Sequence, residues 1–91
     1  MIELELVTLS GVKLRTKVYE VKLPTPQGQI AVFENHAALV TIASPGVITV
    51  REQSNTPDDL QTNYAIDSGV IEVADNTVRV LVDEAEKDTE E

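Results

Sequence analysis

The sequence contains no cysteine and a single histidine, His36. The absence of cysteine excludes disulfides, thiolate nucleophiles and cysteine–zinc sites. Because there is one imidazole, a metal site would need carboxylates for all its other ligands, and a general base would need an orienting carboxylate such as Glu34. We therefore expect His36 to be structural, with its ring bonded to backbone at a corner between strands.

Other signatures of catalysis are also missing. The four glycines are isolated and none opens a helix, so no phosphate-binding loop is predicted. No serine lies in a Gly-x-Ser-x-Gly motif, and the aspartates at turns lack the spacing of a calcium loop. The sequence predicts a non-catalytic protein without metal or cofactor. A small carboxylate-dependent hydrolase built on His36, Glu34 or Asp67 is the enzymatic alternative.

Aromatic residues are scarce, since the 91 residues include only Tyr19, Phe33 and Tyr64. The apolar fraction of 42% must therefore build an aliphatic core, and the length allows one domain. No run of about 18 apolar residues is present, so no transmembrane helix is predicted. We expect a chain that faces the cytosol.

The net charge of −9 is concentrated at the C-terminal end. From Asp83 onward six acidic residues accompany Lys87 alone, whereas the preceding body has ten acidic and six basic residues, a net −4. A body of this sign lacks the basic surface that nucleic acid or anionic lipid requires. The sequence predicts no nucleic-acid partner and no direct membrane contact.

Apolar and polar residues alternate along most of the chain, as in Ile2-Glu3-Leu4-Glu5-Leu6. A period of two is typical of strands with one buried face. Turn signals separate the alternating runs every eight to twelve residues or so, which indicates an antiparallel sandwich or barrel of about eight to ten strands. The runs are residues 2–9, 12–18, 19–23, 30–33, 37–43, 47–50, 62–67, 70–73 and 77–82.

Three features refine this division. We expect the third strand to stop at Pro24, because proline cannot donate to a ladder. Pro24 to Gly28 should then form a stiff loop suited to protein contact. Residues 1–83 form the predicted β domain, and the acidic residues 84–91, which lack apolar periodicity, form a predicted disordered tail.

Lys13, Arg15 and Lys17 lie on one side of the second extended run. Exposed strand positions are commonly charged, so a solvated face explains them. The other interpretation is a surface on which an acidic partner docks.

A second pattern is carried by particular residues distributed in order along the chain. They are Gly28, Val32, Asn35-His36-Ala37, Leu39, Thr41, Pro45-Gly46-Val47, Gly69, Glu72-Val73, Asn76, Val78, Val80-Leu81 and Asp83. With these residues the sequence resembles the N-terminal domain of the epsilon subunit of bacterial F-type ATP synthases, the equivalent of the mitochondrial delta subunit. The resemblance covers residues 2–86.

The sequence departs from the family pattern at five positions. Gln29 replaces a glutamate, Ala31 a glycine, Glu34 and Ala38 prolines, and Ser68 the first glycine of a pair. Gln29 matters most, because in the family this loop faces the polar loops of the membrane rotor ring. An amide can hydrogen-bond there but forms no ion pair.

The resemblance implies a flattened antiparallel β-sandwich of about ten short strands in the central stalk, or rotor, of an ATP synthase. Its partners would be the gamma subunit and the c-subunit ring, and it would help couple proton or ion flow to ATP synthesis. It would lie at the cytoplasmic face of the bacterial cell membrane, as a peripheral protein held there through the complex. The implied c-ring contacts are Thr8, Leu9, Ser10, Thr25, Pro26, Gln27, Gly28 and Gln29, and the implied gamma contacts are His36, Ala37 and Ala38.

Two alternatives remain open at this stage. The chain could be a β-sandwich adaptor unrelated to ATP synthase that shares only its turn chemistry.

Many family members also continue into a C-terminal helical hairpin, which in some of them binds ATP or inhibits hydrolysis, and the sequence ends before it. Either the sequence is part of a longer protein, or the protein is short and would couple without regulation by ATP.

Overall fold

The computed structural model of the protein describes residues 1–88, as ten β-strands and one short 3-10 helix. The first nine strands overlap the nine runs that alternation predicts. The elements are β1 (Ile2–Thr8), β2 (Gly11–Val18), β3 (Glu20–Thr25), β4 (Gly28–Val32), β5 (Leu39–Ala43), β6 (Gly46–Arg51), the 3-10 helix (Asp58–Leu60), β7 (Thr62–Ile66), β8 (Gly69–Ala74), β9 (Thr77–Val82) and β10 (Ala85–Asp88).

The strands form two five-stranded sheets that pack face to face. The first sheet has the order β2-β1-β9-β8-β5, and the second sheet has the order β10-β7-β6-β3-β4. All neighbouring strands are antiparallel except β1 and β9, which are parallel. This architecture confirms the predicted all-β sandwich of about ten short strands, and the parallel pair is the one departure from a purely antiparallel arrangement.

The core between the sheets is aliphatic. In β1, Ile2, Leu4 and Leu6 are at most 1% exposed, whereas the intervening Glu3 and Glu5 lie on the outer face. The same alternation repeats across the sheets, because successive side chains of a strand point to opposite faces. The remaining fully buried large side chains are Leu23, Ile48, Ile71, Val18, Val21, Val32, Val78 and Val80.

The connections divide between two ends of the sandwich. Five connections of two residues each lie at one end, which we call the turn end: residues 9–10, 26–27, 44–45, 67–68 and 83–84. The pairing directions place these five connections together. β1, β5 and β9 run in the same direction and end on one side of the sandwich, and β2, β6, β8 and β10 begin on that side. The opposite end carries the longer segments 33–38 and 52–61, and we call it the corner end.

The expectation that the third strand stops at Pro24 is wrong, because β3 continues to Thr25 and Pro24 pairs with Gln29 of β4. The carbonyl oxygen of Pro24 accepts the Ser44 N–H at 3.0 Å, so the proline nitrogen also faces that side, away from β4. The ladder with β6 ends at Lys22. No donor is therefore needed from Pro24, and proline is tolerated at such a position.

The predicted disordered tail is wrong for Ala85–Asp88, which form β10 on the free edge of β7. The side chain of Ala85 is buried against the core, and the Asp67 N–H donates to the carbonyl oxygen of Glu84 at 3.3 Å. Backbone pairing thus orders a segment whose sequence has one apolar residue among charges. The rest of the predicted tail, residues 89–91, lies outside the described residues.

A row of ion pairs crosses the outer face of the first sheet. Glu5 on β1 accepts from Arg79 at 2.7 Å and from Arg15 at 2.8 Å, and Arg79 also contacts Glu72 at 3.2 Å. The hydrogen bonds from Arg79 first, and then from Arg15, hold the pKa of the Glu5 carboxyl below its ordinary value of 4.5. These contacts link four neighbouring strands, β2, β1, β9 and β8.

We predict that Glu5→Gln lowers the free energy of unfolding at pH 6 by more than at pH 3. Because the pKa of Glu5 is lower in the folded state, its stabilising effect is present above pH 4.5 and is lost as the pH falls through the folded value. Urea titrations followed by circular dichroism at both pH values measure this. Glu3→Gln is the control, since Glu3 shares the strand and face but forms no ion pair among residues 1–88. Equal losses of stability at pH 6 and pH 3 would contradict a lowered pKa of Glu5 in the folded state.

Gly69 lies at a close approach between β8 and β9. A Cβ atom added there would overlap the carbonyl oxygen of Leu81 and come within 2.8 Å of Cγ1 of Val82. Only glycine fits this backbone contact. We predict that Gly69→Ala destabilises the fold by about 1–3 kcal/mol, the usual cost of overpacking, in urea unfolding.

Gly46→Ala is the matched control, because its added Cβ would meet only side-chain and backbone atoms at 3.3 Å or more, the nearest belonging to Pro24. We expect a smaller loss at Gly46. Equal losses at the two positions would argue against the Leu81 contact as the cause.

Candidate protein-binding surfaces

Both segments that the resemblance assigns to the c-ring lie at the turn end. Residues 8–10 connect β1 to β2 at one edge of the first sheet, and residues 25–29 surround the β3–β4 connection at one edge of the second sheet. The residue 8–10 turn borders the same cavity as β7 and β10. The β3–β4 turn lies near β5 instead, because the Ser44 N–H, directly after β5, donates to the carbonyl oxygen of Pro24 in β3. The two turns therefore occupy opposite corners of the same end.

Local hydrogen bonds fix the turn at residues 8–10. The hydroxyl oxygen of Thr8 accepts the Ser10 N–H at 3.2 Å, and its proton is donated to the carbonyl oxygen of Gly11 at 3.4 Å. Gly11 has a φ of 117°, a backbone conformation that residues with a side chain rarely adopt. This geometry holds Leu9 at the tip with 84% of its surface exposed.

The β3–β4 turn is built in the same way. The Thr25 hydroxyl donates to the carbonyl oxygen of Gly28, which has a φ of 115°, and Pro26 restricts the backbone between them. Gln27 is exposed in the turn, and Gln29 is exposed at the start of β4. The turn therefore presents hydrogen-bonding groups without a charge.

The charges of the turn end come from other connections. Among its five two-residue connections, the charged residues are Asp67, Asp83 and Glu84, all carboxylates. They line a cavity of about 480 Å³ between the residue 8–10 turn and β10. The rest of its lining is Thr8, Ser10, Lys13, Ala65, Ile66, Ala85 and Glu86.

Two further kinds of site are absent from the described residues. Within residues 1–88, no three His, Asp or Glu side chains converge on a point where they could hold a metal ion. No helix in the same part of the chain has the length and hydrophobicity needed to cross a lipid bilayer.

His36 and its neighbours lie at the corner end, opposite the c-ring candidates. The Asn35 N–H donates to Oδ1 of Asn76 at 2.6 Å, and the His36 N–H donates to the carbonyl oxygen of Phe33 at 3.3 Å. Nδ1 of His36 lies 2.7 Å from the carbonyl oxygen of Ala37, to which it donates. The ring thus bonds backbone at a corner between strands, as the sequence predicts, while Ala37 and Ala38 are exposed beside it.

A half-buried arginine organises the other long segment of the corner end. Arg51 donates through Nε to Glu20 at 3.1 Å, through a terminal nitrogen to Asp58 at 2.7 Å, and through the other to the carbonyl oxygen of Thr56. The hydrogen bond to Asp58, followed by the one to Glu20, raises the pKa of the Arg51 guanidinium. Arg51 thereby ties residues 56–58 to the end of the second sheet.

The predicted basic stripe lies on the edge strand β2, where Lys13, Arg15 and Lys17 are all exposed. Arg15 bonds Glu5, and Lys17 is the register partner of Glu3. Arg15 is thus engaged within the protein's own sheet. This pattern agrees with a solvated strand face.

Sequence reasoning missed a surface that only the strand register reveals. Apolar residues from all five strands of the first sheet align side by side on its outer face, and we call this set the apolar row. It consists, in spatial order, of Val12, Val7, Leu81, Val70 and Ile42. Val12, Ile42, Val70 and Leu81 are exposed and Val7 is partly buried. Because the five residues belong to five different strands, the sequence alone shows no patch.

The outer face of the second sheet is different. The row through its centre consists of Ala31, Lys22, Thr49 and Asn63, and Val47 lies beside Ala65 in another row. Contiguous exposed apolar side chains are typical of protein interaction sites. The two faces therefore differ in the kind of contact they can make, and the first sheet has the more apolar one.

The chain matches the family model for the ATP synthase delta/epsilon chain, beta-sandwich domain, over residues 1–88. Among curated proteins, the ATP synthase epsilon chain of Persephonella marina is 35% identical over 85 residues, which are 93% of this chain and 60% of that protein. The ATP synthase epsilon chain of Aquifex aeolicus is 31% identical over 85 residues, again 60% of its length. The chain thus spans about three fifths of the length of these relatives.

Solved structures show the same fold. A chain in the mitochondrial ATP synthase of Euglena gracilis superposes with a TM-score of 0.82 at 24% identity, over 94% of this chain and 52% of that one. A chain in the central stalk and c-ring of Tetrahymena thermophila mitochondrial ATP synthase gives 0.71 at 19% identity, over 91% and 63%. The match of nearly the whole chain to one family model confirms the resemblance found in the sequence, and the protein belongs to the ATP synthase delta/epsilon chain family, of which it carries the beta-sandwich domain.

Proposed function

We propose that this chain works as a central-stalk subunit of a proton- or ion-translocating F-type ATP synthase and links the gamma subunit to the c-ring. Membership in the delta/epsilon family carries this proposal. The described residues contain two differently built ends on one rigid sandwich, which suits a protein held between two larger bodies. An unrelated adaptor is not favoured, because the family match covers residues 1–88.

The role is mechanical and non-catalytic. Strands joined by two-residue turns give a stiff block, and such a block transmits force without internal rearrangement. The chain would sit peripherally at the cytoplasmic face of the bacterial cell membrane, held there by the complex. Ion flow through the ring would then rotate it together with gamma.

The contact with gamma is assigned to His36, Ala37 and Ala38. These residues are exposed at the corner end, and hydrogen bonds from Asn35 and His36 fix the backbone that presents them. Alanine methyl groups on a fixed backbone allow close approach of a partner. The contact with the c-ring is assigned to Thr8, Leu9 and Ser10 and to residues 25–29, at the opposite end.

We predict that Ala38→Glu weakens binding to purified gamma at least tenfold, because an interface would bury the new charge without a partner. Calorimetric titration, with size-exclusion chromatography to detect the complex, measures this. Ala31→Glu is the control, since Ala31 is also an exposed alanine but lies on the outer face of the second sheet. If the unaltered chain fails to bind a competent gamma, the proposed function is wrong.

We predict that Leu9→Ser weakens binding of the chain–gamma complex to detergent-solubilised c-ring about tenfold. Leu9 is 84% exposed at the turn end, and burying a leucine side chain contributes about 1.5–3 kcal/mol. Immobilised c-ring with increasing complex in solution gives the affinity. Leu60→Ser is matched to it, because Leu60 is 68% exposed but lies at the corner end. A larger loss for Leu60→Ser would reverse the assignment of the two ends.

A further inference from the structure

β5 is an edge strand without charge. It forms one edge of the first sheet, and its residues are Leu39, Val40, Thr41, Ile42 and Ala43. The other edge of that sheet, β2, carries Lys13, Arg15 and Lys17. Exposed edges offer unpaired N–H and C=O groups, and proteins usually protect them with charges, as β2 does. β5 lacks this protection.

The backbone of β5 pairs on one side only within residues 1–88. Its register partners all belong to β8, from Leu39 opposite Val73 to Ala43 opposite Gly69. Directly after β5, the Ser44 N–H donates to the carbonyl oxygen of Pro24, and this hydrogen bond joins the two sheets there. The open part of the edge is therefore the stretch 39–42, which directly follows the His36 corner.

The side chains of β5 make the same edge apolar. Val40 is 70% exposed and Ile42 is 58% exposed, and both point outward from the first sheet. Ile42 is the last member of the apolar row. A strand added beyond β5 would place its own side chains beside these two, as cross-strand neighbours are about 4.5–5.5 Å apart. The row would then continue onto the added strand.

We propose that an extended, uncharged segment of the partner protein adds to β5 as a sixth strand of the first sheet. This inference rests on the proposed function, in which the partner is gamma, and it defines the contact that begins at the His36 corner. Strand addition gains affinity from backbone hydrogen bonds and specificity from alternate side chains. The added segment would carry apolar side chains on the face that meets Val40 and Ile42.

A second copy of the chain fits this edge less well. Each copy has a net charge of −9, so two copies repel each other. A stable interface with either kind of partner buries about 800 Å² on each side, so the occupant must also contact the surface beyond this stretch of four residues. A different protein without excess negative charge can add further contacts along the apolar row.

Amide hydrogen exchange of the chain with and without purified gamma tests the proposal directly. Amides in the stretch 39–42 that point away from β8 should exchange at least tenfold more slowly in the complex, because they become hydrogen-bonded. Amides of the opposite edge strand β2 should be unchanged. Strand addition would slow exchange at every second amide of the strand. A bulky partner that only covers the strand would slow exchange at successive amides equally.

Substitutions provide a second readout. Val40→Lys should weaken gamma binding at least tenfold, because a charge on the edge opposes strand addition. Val47→Lys is matched to it, since Val47 is a 41% exposed strand valine on the outer face of the second sheet, and it should bind normally. Circular dichroism confirms that both variants fold.

The outcomes separate this inference from the function on which it rests. A gamma complex that forms without alternating protection of residues 39–42 overturns strand addition and leaves the stalk role intact. Absence of any complex with competent gamma overturns the stalk role itself. Protection of the same amides in the chain alone, rising with concentration, would identify a second copy as the occupant and overturn the proposal.

Discussion

The parallel pairing of β1 with β9 is the contact on which the rest of the structure depends. It joins residues 3–7 to residues 77–81, near the two ends of the described chain. On the inner side it brings Leu4 and Leu6 against Val78 and Val80, all of them fully buried. On the outer side the same register brings Glu5 beside Arg79 and Val7 beside Leu81. The register of this one strand pair therefore determines which side chains meet in the core, in the ion-pair row and at the centre of the apolar row.

This dependence explains what the sequence could and could not predict. Alternation is a local property, so nine strands and the aliphatic core could be predicted from residue order alone. The register between β1 and β9 is a non-local property, because it depends on packing across more than 70 residues of chain. The apolar row follows from that register. Val7, Val70 and Leu81 are unremarkable within their own strands and form a surface only when the strands are placed side by side.

The two errors at the sequence level have related causes. Taken as isolated segments, Pro24 predicts the end of β3 and the charged residues 85–88 predict disorder. In the fold, Pro24 turns its nitrogen away from β4 and needs no donor. β10 is stabilised by the edge of β7, with Ala85 as its single buried side chain. For the candidate contact residues, family resemblance predicts the segments, whereas their division between opposite ends follows from the strand directions.

The different chemistry of the two ends and the exposed face matches the different demands of the proposed contacts. The turn end presents hydroxyl and amide groups in some connections and the carboxylates of Asp67, Asp83 and Glu84 in others, and such polar groups can also be bridged to a partner by water. At the corner end and along β5, apolar side chains and a free backbone edge favour a contact that excludes water and persists. The apolar face of the first sheet, continuous with β5 and the His36 corner, is the part of the described surface best suited to provide it.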